Sequence, residues 1–278
     1  MEYTFSGEKV KPIRTIIEVV SSIVDGNNNF IFSDRGIALR TMEPSGAVFI
    51  SFDIERDYFS SSEVDEETML AINIEDLRKV LSRSIDAAET VTLAYKPDEN
   101  KLVVTYQKVD KSQKRMYKLA LHSPNEQDPS IYERAKTLPL SCTLNLQPGA
   151  LKEILGDVGV AADKAQKSLT LNVDTEGVIF EVNQGMEGMS AKVELRKDNT
   201  DGAGPIMGLE LEDDEAISAL YDMDYLEKLT KLDGLAENVK LELGDNSPLR
   251  INFTISSIKF TYLMAPLEEE DGDDLEDE

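Results

Sequence analysis

Residues 73–106 read NIEDLRKVLSRSIDAAETVTLAYKPDENKLVVTY, and residues 222–254 read DMDYLEKLTKLDGLAENVKLELGDNSPLRINFT. Each stretch starts as an amphipathic helix and crosses a short loop to Ala-Glu-x-Val-x-Leu. Each then passes through a polar turn into an alternating strand. A second echo precedes each copy: FSDRGIALR at 32–40 and VDTEGVIFE at 173–181. Both place a Gly after charged turn residues and resume with β-branched and aliphatic side chains. Solenoid units run ~20–50 residues, and this period is close to half of a 278-residue chain. The repeat therefore points to two homologous domains in tandem, and the length agrees at ~100–200 residues per domain.

Hydrophobic periodicity fills in the elements. Residues 9–25 set Ile13, Ile16, Ile17, Val20, Ile23 and Val24 on one face, with Pro12 in the first turn, and read as a helix ending near Asp25-Gly26. A second helix over 74–85 buries Ile74, Leu77, Val80, Leu81 and Ile85 behind an Asn73 N-cap. A third, over 149–158, turns Leu151, Ile154, Leu155 and Val158 inward, and a fourth, over 223–232, buries Met223, Leu226 and Leu229. Alternating runs predict strands at 30–40, 47–54, 90–96, 101–108, 114–121, 140–147, 168–173 and 178–183. Further runs lie at 189–197, 206–212, 216–221, 238–243, 249–255 and 258–264. Strands cluster between helices, which favours an α+β fold of antiparallel sheets with helices on one face. The expected division is residues 1–121, a connecting loop at 122–139 rich in turn formers (Pro124, Asn125, Asp128, Pro129), residues 140–267, and a disordered acidic tail at 268–278.

The formal charge is −25, and nine of the eleven tail residues are acidic. Net charge alone argues against nucleic acid, because phosphate binding draws on Lys and Arg. The cations, however, are not spread evenly. Lys11 and Arg14 share a face of the first helix, and Lys79 and Arg83, with Arg78 beside them, lie on the second. Lys152 sits on the third, with Lys164 and Lys167 just beyond it, and Lys228 and Lys231 share a face of the fourth. Glu18, Asp76, Glu153 and Glu227 are interspersed. A solvated helix surface and a weak, sequence-independent contact with a phosphate backbone both remain open.

Several chemistries lack their parts. His122 is the single histidine, which excludes a multi-histidine metal site and leaves His-based acid–base catalysis without its usual residue. No phosphate-binding G-x-x-x-x-G-K-[ST] loop, G-x-S-x-G elbow or Cys cluster occurs. The Gly-Ala-Gly stretch at 202–204 reads as a flexible loop, and Asp213-Asp214-Glu215 as a solvated loop rather than a cation site. Cys142 reads as a small apolar residue on a buried strand, in keeping with a reducing interior. No apolar run reaches the ~18–20 residues of a membrane helix, and MEYTFSGEKVK lacks a signal-peptide pattern.

The chain resembles the DNA sliding clamps of the proliferating cell nuclear antigen family, of the archaeal and eukaryotic type. The resemblance rests on SDRGIALRTMEPSGAVFISFDI (33–54), AINIEDLRKVLSRSIDAAETVTLAY (71–95) and DNSPLRINFTISSIKFTYLMAP (245–266), in that order, and covers nearly the whole chain. It implies a ring of three two-domain subunits, with sheets outside and helices lining a hole around duplex DNA. It also implies no catalysis, no cofactor, and an intracellular location: cytoplasm or nucleoid in an archaeon, nucleus in a eukaryote. The partners implied are double-stranded DNA, DNA polymerase, a clamp loader, flap endonuclease and ligase, the enzymes docking through short peptide motifs.

Carried over by position, the DNA-facing residues are Lys11, Arg14, Lys79, Arg83, Lys152, Lys228 and Lys231. The peptide pocket is Met42, Ala47, Phe49, Pro248, Leu263, Met264, Ala265, Pro266 and Leu267, with Ile131 and Tyr132 from the linker. The subunit interface is Met116, Tyr117, Lys118 and Leu119 against Ala191, Val193 and Leu195. The linker is longer than the family's usual connector, and the third helix is poor in basic residues. Two other readings stand beside this one: a checkpoint-type clamp subunit of a heteromeric ring, and a metal-dependent enzyme acting on phosphates through carboxylates.

Overall fold

The computed structural model describes residues 1–83, 89–126, 128–162, 167–183, 188–197, 204–212 and 214–268. The first repeat contains β1 (Glu2–Ser6), α1 (Val10–Ser21), β2 (Asn27–Ser33), β3 (Gly36–Met42), β4 (Val48–Glu55), β5 (Ser61–Glu63) and β6 (Thr68–Asn73). It continues through α2 (Ile74–Leu81), β7 (Glu89–Lys96), β8 (Lys101–Lys108) and β9 (Lys114–His122). A further helix, α3 (Pro129–Thr137), follows. The second repeat contains β10 (Cys142–Leu146), α4 (Ala150–Val158), β11 (Ser168–Val173), β12 (Gly177–Asn183) and β13 (Ser190–Arg196). It closes with β14 (Ile206–Leu211), β15 (Ile217–Asp222), α5 (Met223–Asp233), β16 (Asn238–Leu243), β17 (Leu249–Ile255) and β18 (Ile258–Met264).

Every strand pairing is antiparallel. One continuous ladder runs β14-β10-β16-β17-β18-β4-β3-β2-β6-β9-β8-β7-β1-β5, and a second sheet runs β13-β12-β11-β15. The joint between the repeats is β18 against β4, with Ile258 opposite Ile54 and Met264 opposite Val48. Inward side chains on both strands are fully buried, Phe260 and Tyr262 from one and Ile50 and Phe52 from the other, so the core is continuous across the joint. The four repeat helices form a row in which α1 packs against α2 and α5, and α5 packs against α4.

The repeat is visible in backbone detail. Asn73 and Asp222 cap α2 and α5 by accepting from the N–H of Asp76 and Asp224. Gly36 and Gly177 each face a neighbouring strand so closely that a Cβ would run into a carbonyl oxygen, that of Ile54 or of Leu195. Gly36 also has φ +131°, a conformation open to glycine alone.

Several expectations need correction. The strand expected at 30–40 is a hairpin, β2 and β3, turning at Asp34-Arg35 just before Gly36. β1, β5 and β6 were not foreseen. Their partners are distant in sequence, and β1 is recruited between β5 and β7. The first helix stops at Ser21, although Val24 beyond it is still buried. The connecting loop holds α3, whose start is the Asp128 side chain accepting from the Ser130 N–H with Pro129 next in line. Cys142 is buried on β10, and burial pushes its thiol up to about 11. Ile85, Lys164, residues 202–203, Asp213 and residues 269–278 lie outside the described residues.

Candidate functional site

The helix row presents the expected cations away from the core. Lys11, Lys79, Arg83, Lys152 and Lys231 are exposed, and Arg14 and Lys228 are half-buried. Some are already engaged on their own helix. Arg14 lies 3.8 Å from Glu18, Lys79 lies 3.1 Å from Asp76, and Arg78 lies 2.5 Å from Glu75. The Lys228 ammonium sits 4.5 Å from the centre of the Tyr225 ring. Lys167 is bridged to Asp224 at 2.7 Å and Glu227 at 3.5 Å, and the hydrogen bond to Asp224 holds its ammonium above the usual lysine value. Exposed pairs of this kind are screened by solvent and hold their cations weakly, so a phosphate can compete for the same side chains.

The start of α4 holds a residue that the sequence patterns did not reveal. Asp233, at the end of α5, is fully buried and accepts from the backbone N–H of Gly149 at 3.0 Å and of Lys152 at 2.8 Å. Helix α4 has no side-chain cap of its own, and Gly149 stands at its N-cap with φ +90°. A carboxylate more than eighty positions away satisfies those orphan donors and fixes Lys152 on the row.

The opposite, outer face of the long ladder carries the second candidate site. Neighbouring residues on a strand point to opposite faces, and the register aligns Met42, Phe49, Leu263, Arg250 and Glu242 in one row across β3, β4, β18, β17 and β16. Helix α3 lies over this row. Tyr132 packs 6.3 Å from the Phe49 ring, and the Arg40 guanidinium stacks 4.3 Å from the Tyr132 ring. The other end of α3 is held by Arg250, which donates to the carbonyls of Ala135 and Lys136 at 3.0 Å and of Leu138 at 3.4 Å. Arg250 also donates to Glu242 at 2.9 Å, and Lys240 lies 2.8 Å from the same carboxylate. Burial pushes Glu242 up, but these two cations outweigh it and hold the carboxyl below its ordinary value.

Of the expected pocket residues, Met42, Phe49, Ile131 and Tyr132 line a groove of about 740 Å³ on the first-repeat side of α3. Met264 is corrected: its side chain is fully buried on the core face, the parity opposite to that of Leu263. Pro248, Ala47 and Pro266 are half-buried, and Ala265 and Leu267 are exposed, but none of these lines that groove. The chain beyond β18 is tied down by Ala265 N–H to the Ala47 carbonyl at 2.9 Å and Leu267 N–H to the Leu220 carbonyl at 2.7 Å. The groove wall made by Val24 and Met69 was missed, because it comes from the turn after α1 and from β6.

Of the expected interface strands, β13 ends the four-stranded sheet, and β9 lies inside the long ladder but is open on one side over most of its length. Among the described residues, β13 pairs only with β12. β9 pairs with β8 along its length, and with β6 only through Leu121 and His122. Tyr117, Ala191, Val193 and Leu195 are half-buried, Lys118 is exposed, and Leu119 is buried. Met116 and Met189 stand 50% and 56% exposed on these edges, a high value for methionine. Among the described residues no group of His, Cys, Asp or Glu is placed to hold a metal, and no helix is long and apolar enough to cross a membrane.

Two repeats sharing one outer ladder, a row of cation-bearing helices and two open edge strands define the ring-forming DNA clamp class of fold. Models of the proliferating cell nuclear antigen N-terminal and C-terminal domains match residues 8–128 and 138–267. The chain belongs to the proliferating cell nuclear antigen family. It is 30% identical over 270 residues to DNA polymerase sliding clamp 1 of Thermococcus kodakarensis, covering 97% of this chain and 99% of that protein. The DNA polymerase sliding clamp of Pyrococcus abyssi is 27% identical over 271 residues, covering 97% of this chain and all of that protein. Among solved structures, the fold is similar to PCNA from Thermococcus kodakaraensis, with a TM-score of 0.77 at 21% identity over 96% of this chain and 99% of that one. It is also similar to a chain of the PCNA2–PCNA3 complex from Sulfolobus tokodaii, with a TM-score of 0.79 at 19% identity over 97% of this chain and all of that one.

Proposed function

We propose that the chain is one subunit of a DNA sliding clamp. Three identical subunits close into a ring around duplex DNA, which keeps DNA polymerase on its template and serves as a dock for repair enzymes. The observation that carries this reading is the β18–β4 joint. The repeat makes β9 the counterpart of β18, since Tyr106 and Phe253 stand opposite the equivalent Val91 and Val239. That puts Tyr117 in the place of Tyr262. The matched Gly36 and Gly177 likewise put Ala191 in the place of Ile50. Inside the chain Tyr262 faces Ile50. The same joint between subunits sets Tyr117 opposite Ala191, Arg115 opposite Val193 and Leu119 opposite Met189. It covers two sheet edges that would otherwise invite uncontrolled pairing, and it is head-to-tail, as a closed ring requires.

In this ring the helix row faces the hole. Lys11, Arg14, Lys79, Arg83, Lys152, Lys228 and Lys231 touch phosphates weakly and read no bases, because phosphate contacts carry no sequence information. The protein catalyses no reaction. Its domains are residues 1–121 and 140–267, joined by 122–139, with an acidic tail from 268. Polymerase, clamp loader, flap endonuclease and ligase dock by short peptides in the groove beside α3, with Phe49 and Met42 receiving the anchor.

The test is the solution mass by light scattering. The reading expects three times the 30.9 kDa of the chain, falling to one when Tyr117→Asp and Ala191→Asp are combined. A wild-type protein that stays monomeric at high concentration, alone and without a paralogue, overturns it.

A further inference from the structure

The joint inside the chain and the joint between subunits share one register, so their inward rows compare pair by pair. Inside the chain Tyr262 faces Ile50 and Phe260 faces Phe52, all fully buried. Between subunits the same two places hold Tyr117 with Ala191 and Arg115 with Val193. Both changes remove apolar surface, and the second puts a charge where the internal joint has a ring. Arg115 points inward because it stands opposite the fully buried Tyr106. Its guanidinium lies 2.6 Å from the Glu89 carboxylate and 5.3 Å from the centre of the Tyr106 ring. Glu89 is buried at the start of β7, whereas Arg115 keeps 27% of its side chain exposed. A strand of the next subunit laid along the open side of β9 covers that remainder with the apolar Val193.

Resting on the ring reading above, we propose that the Arg115–Glu89 pair keeps the subunit joint separable, so that the ring opens and re-forms there while the internal joint stays shut. Closing the joint takes water from the guanidinium, and the Val193 side chain offers no acceptor in exchange. Taking an ion pair out of water offsets much of its own attraction, and apolar side chains of similar size in its place are often more stable. Phe260 against Phe52 carries no such penalty. Directly opposed side chains on paired strands stand ~4.5–5.5 Å apart at Cβ, so a carboxylate placed at position 193 would reach Arg115 from the neighbouring subunit. A separable joint has a use in a topological clamp, because DNA without a free end enters a ring only where the ring parts.

The experiment measures subunit exchange in the full-length protein. Donor- and acceptor-labelled assemblies are mixed, and the rise of energy transfer gives the rate at which joints part. Four proteins are compared: wild type, Arg115→Met with Glu89→Leu, Val193→Glu, and all three changes together. The expected result is that the apolar pair exchanges about tenfold more slowly than wild type. Val193→Glu alone also slows exchange, because its carboxylate meets Arg115 across the joint. In the triple variant that carboxylate faces apolar side chains, and exchange is faster than in the apolar pair. Should the apolar pair fail to fold, the half-buried position 193 on its outer strand still decides: a Val193→Glu protein that exchanges as fast as wild type, or faster, overturns the inference. An apolar pair that folds and exchanges at the wild-type rate overturns it too, and both results leave the ring standing. A wild type with the mass of one chain and no energy transfer on mixing overturns the ring reading and the inference with it.

Discussion

Adding one methyl group at Gly36 or Gly177 probes the repeat where it is tightest. In both places the new Cβ would collide with a backbone carbonyl of the adjacent strand, at Ile54 or at Leu195, and a carbonyl cannot rotate away as a side chain does. Forcing extra volume into a packed site costs ~1–3 kcal/mol. At Gly36 the cost has two further sources. The residue sits at φ +131°, where a non-glycine residue is strained by ~1–3 kcal/mol. The strand it would push, β4, is also held on its far side by β18, so it has nowhere to go. At Gly177 the displaced strand is β13, which among the described residues is paired on one side only and can yield. The expectation is that Gly36→Ala loses about 3–5 kcal/mol and Gly177→Ala about 1–2 kcal/mol. Gly177→Ala is expected to loosen self-association out of proportion, because the shifted strand is the one proposed to pair with the next subunit. Urea denaturation gives the first pair of numbers and light scattering against concentration gives the second effect. Equal destabilisation by both changes, or a Gly177→Ala protein that assembles as tightly as the wild type, refutes the repeat-based assignment of β13 as a joint.

Three further outcomes follow from named contacts. Asp233→Ala strips two N–H groups at the start of α4 of their buried acceptor and should cost about 3 kcal/mol in urea denaturation; Asp233→Asn, which keeps one acceptor, should cost about half of that, and a loss below about 1 kcal/mol for the alanine would contradict the cap. Glu242 is held below its ordinary 4.5 in the folded state, so its contribution is present above that pH and is lost as pH falls through the lower native value. Hydrogen exchange across residues 129–138, corrected for intrinsic rates, should therefore rise only on acidification below about pH 4.5 and should lose this pH dependence in Glu242→Gln. Lys79→Glu with Arg83→Glu should leave folding intact and make the salt dependence of duplex binding shallower by about 2 in log–log slope; an unchanged slope in fluorescence anisotropy would remove α2 from the DNA-facing surface.

The sequence was most legible where side-chain alternation is strict. β16, β17 and β18 begin and end where the alternation does, because one face of each is core and the other is polar. The short β5 carries no such local signal, and β1 alternates over only five residues, with Tyr3 and Phe5 inward; both are held by partners distant in sequence. Helix α3 was hidden by a double meaning: Asp128-Pro129 suits a turn and also a helix start, and only Arg250, reaching from β17 to the far end of the helix, decides between them. Leu263 and Met264 could have been separated from sequence, since adjacent strand residues cannot share a face. Asp233 could not, because its partners lie on another helix. Met42 and Phe49 came from the family resemblance, whereas Met69 and Val24 reach the groove only through the pairing of β6 with β2 and the end of α1.

The central claim is topological: the protein holds DNA by enclosing it. The direct measurement threads the protein onto bead-tethered linear duplex through the free end, then blocks that end with a bulky tag and washes with high salt. Contacts with phosphates alone weaken steeply as salt rises, whereas a closed ring stays until an end is opened. The account predicts retention through the wash on doubly blocked DNA and prompt release after a restriction enzyme cuts the tagged end away. Equal release from blocked and unblocked DNA would contradict it.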